Sequence, residues 1–171
     1  MKNQLLHLVI HCTATPEGKA FSKEDIIRWH TSPVEKGGRG WKHPGYADVI
    51  YLDGQLINIV PYDENNIVDP WEVTNGAPGL NGNSRHVVYV GGMDKENKHP
   101  KDTRTLAQRI TLEGYVRKII RLHPSIQILG HNQAPGANGR ACPSFDVPEW
   151  LRSFGVAEEN IYKEQNYKPA A

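Results

Sequence analysis

Residues 130–146 read Gly-His-Asn-Gln-Ala-Pro-Gly-Ala-Asn-Gly-Arg-Ala-Cys-Pro-Ser-Phe-Asp, a loop too rich in glycine to be helix or strand, with His131 and Cys142 near its two ends. An apolar run at 126–129 leads into His131 as a strand, and Pro143 fixes the backbone after Cys142, so both side chains stand on anchored ends. A loop of this kind positions side chains. Zinc takes imidazole nitrogen at ~2.0 Å and thiolate sulfur at ~2.3 Å, and a catalytic zinc keeps three protein ligands and one open position. One more ligand must then come from elsewhere in the chain.

Residues 5–12 read as a buried first strand, whose period of two separates Leu5, His7, Val9 and His11 from Leu6, Leu8, Ile10 and Cys12. Cys12 joins the aliphatic side and is expected as a small core hydrophobe. His11 faces the other way, at the end of the strand, where it can supply the missing ligand. Taken alone, such a histidine is more often structural or on the surface; only the distant His131 and Cys142 shift the balance.

The remaining punctuation places a helix from Ser22 to about His30, opened by Ser22 and Asp25 in capping-box spacing. The glycine-rich loop 36–45 lacks the ending of a phosphate cradle and is expected as a flexible groove wall carrying Arg39 and Trp41. Segments 46–52 and 55–60 flank Asp53-Gly54 as a hairpin, with Tyr46 at its opening. Tyr46 suits either a half-buried strand end or catalysis. Residues 63–84 are loop, 86–90 a strand, and 94–101 a solvated charged turn containing His99. Residues 103–123 predict the long packing helix, with Leu106, Ile110, Val116, Ile119 and Ile120 at helical spacing and Gly114 allowing close approach to the sheet. A short helix at 146–154 follows, and 158–171 is polar, frayed or loosely docked. The order strand, helix, hairpin, strand, helix, strand predicts a single α/β domain: a central mixed sheet flanked by helices, with the metal site at one edge.

Twenty basic and 19 acidic residues give a net charge of +1 with no basic stripe, so nucleic acid is not expected as a partner. Two cysteines are too few for a disulfide scaffold and are read singly. No run approaches the roughly 20 apolar residues of a membrane span. The apolar stretch after Lys2 is short, interrupted by His7, and not that of an export signal.

Taken in order, His11-Cys-Thr-Ala-Thr15, Ile27-Arg-Trp-His30, Gly45-Tyr46, Asn83-Ser84 before Val90-Gly-Gly92, and Ala141-Cys-Pro-Ser-Phe-Asp146 resemble a known pattern. It is that of the zinc-dependent N-acetylmuramoyl-L-alanine amidases, in the superfamily of phage amidase-type lysozymes and peptidoglycan recognition proteins, and the phage branch is the most similar. The resemblance covers nearly the whole chain and implies an amidase domain at 1–156 with a polar tail at 157–171. It implies zinc ligands His11, His131 and Cys142, and a catalytic tyrosine at Tyr46; His30 matches a position that is not a ligand. Phage members carry a catalytic lysine where this chain has Arg140. Asn75 stands near a histidine of many relatives, and Asn132 follows His131 where a basic residue is common.

The implied reaction is hydrolysis of the amide between the lactyl group of N-acetylmuramic acid and L-alanine. The metal would polarise the carbonyl and acidify water, while Arg140 and Tyr46 stabilise the oxyanion. Peptidoglycan or a muropeptide is the expected partner and a monomer the expected state. Synthesis in the cytoplasm followed by release onto the wall in the periplasm, as for a phage or prophage endolysin, fits the missing signal. Three other readings use the same residues: a cysteine peptidase with Cys142 as nucleophile and His131 or His11 as base, a muropeptide-binding module without turnover, and a structural zinc site.

Overall fold

The computed structural model describes residues 3–163. In chain order the elements are β1 (His7–Cys12), β2 (Thr15–Pro16), α1 (Lys23–Thr31), β3 (Asp48–Ile50) and β4 (Leu56–Asn58), then β5 (Ser84–Tyr89), β6 (Gly92–Met93), α2 (Leu106–Leu122), β7 (Gln127–Gly130) and α3 (Val147–Ser153). The main sheet runs β4-β3-β5-β1-β7, with β3, β5, β1 and β7 parallel and β4 antiparallel on the edge. It is the expected mixed sheet with helices on both faces.

The alternation of β1 assigns the faces. Leu8, Ile10 and Cys12 pack with Leu112, Val116 and Ile119 of α2 and Leu151 of α3. Val9 belongs to a separate cluster with Ala77, Leu80 and Leu129, on the face that His11 shares. On that same face Ile26 of α1 packs against Val49, Val88 and Val90. The expected capping box starts α1: Ser22 Oγ accepts from the Asp25 amide at 3.2 Å, and Asp25 Oδ2 accepts from the Ser22 amide at 3.0 Å. A cap of this kind contributes about 1 kcal/mol.

The long helix departs from expectation in three ways. It begins at Leu106, because Thr105 serves as the cap, reciprocally bonded to Gln108 at 3.1 and 3.0 Å. Its buried face is Gln108, Leu112, Tyr115, Val116 and Ile119, whereas Leu106 and Ile110 are 75% and 63% exposed. At 3.6 residues per turn those two lie roughly 120–160° around the axis from Leu112. A Cβ at Gly114 would meet nothing within 4 Å, so this position faces open space instead of the sheet. What pins the helix start is Gln108, whose buried Nε2 donates to the carbonyls of Ile50 and Val90 at 3.2 and 3.0 Å.

After α3 the chain returns to the sheet: Ile161 is buried beside Ile128, and the Tyr162 amide donates to Ile128 O at 3.0 Å. The tail expected at 157–171 lies, from residue 164 on, outside the described residues.

At the other end of the strands from the expected site, the α2 face holds a buried ionic network. Arg85 meets Asp48 Oδ2 at 2.7–2.8 Å and Tyr115 OH at 3.0 Å, and Tyr115 OH donates to the same carboxylate oxygen. Both charged side chains are about 95% shielded, so removing one strands the other in the interior. Asp48→Ala is expected to destabilise the protein by ~3–5 kcal/mol. Glu113→Ala, which breaks a half-exposed pair with Arg117, should cost less than about 0.5 kcal/mol. Urea unfolding of both variants checks the contrast, and equal shifts would show that the Asp48 carboxylate is not what holds the buried guanidinium.

Candidate active site

Because β1, β5 and β7 run parallel, their carboxyl ends gather on one edge of the sheet, where open α/β sheets place their ligands. His11 lies near the end of β1, and β7 runs directly into His131, the first residue of a single helical turn. The loop that follows is tied back at Cys142: the Asn132 amide donates to Cys142 O at 2.7 Å, and the next residue, Pro143, accepts from Tyr89 OH at 2.6 Å. Gly130 is required at the entry. A Cβ there would stand 2.4 Å from Asn132 Oδ1 and 2.8 Å from Pro143 Cδ, so any larger residue would push the two ends of the loop apart.

This packing brings together all five expected side chains. One ligand atom each from His11, His131 and Cys142 fall within 4.8 Å of one another, and His11 Nδ1 is 3.8 Å from Cys142 Sγ. Ligands bound tetrahedrally at ~2.0 Å and ~2.3 Å are separated by about 3.3–3.7 Å, so only a small contraction is needed to close on an ion. Two imidazoles and a thiolate are a donor set that suits zinc. Tyr46 places its ring 4.9 Å from that of His11. Above them opens a cleft of about 400 Å³, whose walls include Thr13, Trp29, Arg39, Tyr46 and Arg140.

Burial sets the electrostatics. It pushes His11 well below the ordinary histidine value, helped by His86 and His131. Burial, then the Arg140 charge, brings His131 down to about 4. Both rings are therefore neutral and keep a lone pair for a metal. Burial, with Cys142 next, raises Tyr46 well above its usual range, so its hydroxyl stays a donor. The Cys12 thiol, then burial, hold the Cys142 thiol well above its ordinary value; the Cys12 amide, donating to Cys142 Sγ at 3.3 Å, pulls the other way.

Among the described residues no other histidine joins this group. His30 Nδ1 accepts from the Gly45 amide at 3.1 Å and its ring stacks on Trp41, forming cleft wall. His99 is exposed and pairs with Asp94. Asn75 fastens the long loop to residues 43 and 44, by Nδ2 to His43 O at 3.2 Å and by its amide to Pro44 O at 2.9 Å. Cys12 is buried in the core as expected, yet its neighbours are the site's own Cys142 and Ser144. One residue went unremarked in the sequence: His86 of β5, whose Nδ1 is 2.9 Å from His11 Nε2. Its period-two position on the face of His11 is the signal that could have marked it, once β1 and β5 are known to pair.

No protein-family model matches the chain. In sequence it is 30% identical over 144 residues to the endolysin of Enterobacteria phage T3 and 28% identical over 144 residues to that of Escherichia phage T7, each match covering 84% of this chain and 83% of the relative. In structure it is similar to the N-acetylmuramoyl-L-alanine amidase LysC from Clostridium intestinale, with TM-score 0.64 and 20% identity over 91% of this chain and 88% of that one. Drosophila PGRP-LB gives TM-score 0.63 and 18% identity over 91% and 84% of the two chains. The chain shares its fold with these proteins, and the extent of its sequence match to the phage T3 enzyme makes it a member of the phage endolysin family.

Proposed function

We propose that this endolysin is a zinc-dependent N-acetylmuramoyl-L-alanine amidase, hydrolysing the amide that joins the lactyl group of N-acetylmuramic acid to the first alanine of the peptidoglycan stem. The observation that carries the reading is the convergence of His11, His131 and Cys142 at the base of a cleft walled by Tyr46 and Arg140. His11, His131 and Cys142 would hold the ion. When bound, zinc supplies Lewis acidity at the scissile carbonyl and lowers the pKa of water.

The chain's own residues account for the rest. Two neutral imidazoles and one thiolate leave the site with a formal charge of about +1, so charge developing on the carbonyl oxygen needs further donors. Tyr46, kept protonated by burial, donates a hydrogen bond. The guanidinium of Arg140 adds positive charge and offers no base. Arg39 and Arg140 give the cleft two guanidiniums, which suits the anionic stem peptide. All of these groups come from one chain, which supports action as a monomer. Among the described residues no helix is long and apolar enough to cross a membrane. The reading places the enzyme's action on the wall after release from the cytoplasm, with domain 1–156 carrying the chemistry.

The cysteine-peptidase alternative is disfavoured by the backbone at Cys142: the next residue, Pro143, has no N–H to help form an oxyanion hole for an attacking thiolate.

Purified protein is expected to hold about one zinc per chain, matching the three-ligand set. Chelation should abolish activity and zinc should restore it. Digested peptidoglycan should gain alanine amino termini and no reducing sugar ends. New termini at other stem residues would point to a peptidase, and binding without release to a recognition module.

If Arg140 acts through its charge, Arg140→Lys keeps much of the turnover, whereas Arg140→Ala loses ~10²-fold or more with zinc retained. Tyr46→Phe should likewise lower turnover and leave the metal bound. An Arg140→Ala variant with near-normal turnover would remove Arg140 from the mechanism. Loss of zinc or thermal stability in both Arg140 variants would instead mark it as a loop anchor.

A further inference from the structure

His86 is a buried imidazole that the chemistry above leaves unused. It pairs with Val9 across the β1–β5 ladder, on the face that carries His11, and its Nδ1 lies 2.9 Å from His11 Nε2. Two neutral imidazoles at this separation share one proton, so one ring donates and the other accepts. The far side of His11 decides which. Its Nδ1 is directed toward Cys142 Sγ, 3.8 Å away, and must present a lone pair if the cluster is to hold an ion. His11 therefore carries its proton on Nε2 and donates it to His86 Nδ1.

The surroundings are shaped for this contact. Gly76 packs directly against His86: a Cβ at that position would stand 2.4 Å from His86 Nδ1 and 2.5 Å from Gly45 O. Among the described residues His86 Nε2 has no hydrogen-bond partner, although the ring is fully buried. A leucine or valine would fill the same strand position without leaving a donor unpaired, so packing alone does not account for a histidine here.

We propose that His86 is a positioning residue: by accepting from His11 Nε2, it fixes the tautomer of His11 and aims Nδ1 into the metal site. Ligating histidines are commonly oriented through their second nitrogen by a carboxylate, a carbonyl or water. In this chain an imidazole does so. The inference rests on the metal reading of the preceding section.

Imidazole ¹⁵N NMR of the metal-free full-length protein at neutral pH tests the tautomer directly. His11 should appear as the single Nε2–H form, and a proton on Nδ1 would overturn the proposal. Zinc affinity, measured by competition with a chromogenic chelator, tests the consequence. His86→Phe keeps a ring but no acceptor and should weaken binding by roughly 10–100-fold. His86→Asn, whose Oδ1 can take the place of Nδ1, should restore most of it. Wild-type affinity in His86→Phe, or an equal loss in both variants, would reduce His86 to packing. Should His86→Phe fail to fold, the wild-type spectrum and His86→Asn decide the matter. If wild-type protein binds no zinc while His11 shows the Nε2–H form, the metal reading fails and the hydrogen-bond assignment stands.

Discussion

The register of β1 against β5 and β7 is the constraint on which the rest depends. Pairing His11 with Val88, and Ile10 with Gly130, brings the ends of three strands to one edge in a fixed stagger. Side chains alternate along a strand, so a slip of one residue would carry His11 to the α2 face and bring an aliphatic side chain to the cleft. The apolar set Leu8, Ile10 and Cys12 resists that slip, because all three are buried against α2 and α3. Core packing and ligand placement are thus two outcomes of one alternation.

Adjacent residues of β5 show the same division. Arg85 and His86 point to opposite faces and end in different kinds of polar interior. Arg85 is enclosed by Asp48, Tyr115 and the Val60 carbonyl, a network that neutralises and bonds it. His86 has a partner at one nitrogen and, among the described residues, none at the other. A buried polar group with every bond made stabilises or at least specifies a core, whereas a partly satisfied one persists where it serves another purpose. Arg85 follows the first rule, and His86 the second.

Much of this was legible in the sequence where the signal was local. The period of residues 5–12, the Ser22 and Asp25 cap, the Asp53-Gly54 turn and the loop 130–146 each depend on neighbours a few residues apart. His131, Cys142 and His11 are legible as a candidate ligand set from the loop and the strand that precedes it in the chain, whereas the roles of Tyr46 and Arg140 rest on the resemblance. What escaped was long-range. Leu106 and Ile110 have helical spacing, but nothing in the sequence says which side of a helix will meet a sheet. His86 gains meaning only from a partner 75 residues away. The order of parallel strands could not be read for the same reason, as each crossover is long and leaves no mark at either strand.

The way His11, His131 and Cys142 are held bears on what kind of metal they would bind. In a small zinc-folded module the ion supplies the folding free energy, and the ligands have no order without it. Here each of the three side chains is fixed by other means: His11 by a strand paired on both sides, His131 by its strand and the close approach at Gly130, Cys142 by Asn132 and the neighbouring Tyr89–Pro143 bond. The free energy of binding then need not be spent on ordering the loop. A bound ion would still stabilise the fold by mass action, growing with the logarithm of free zinc over its dissociation constant. That gain is added to a core already complete, with α2 and α3 against one face and α1 against the other. On the proposed reading these three side chains would hold an ion that serves the chemistry of the cleft and not the stability of the fold.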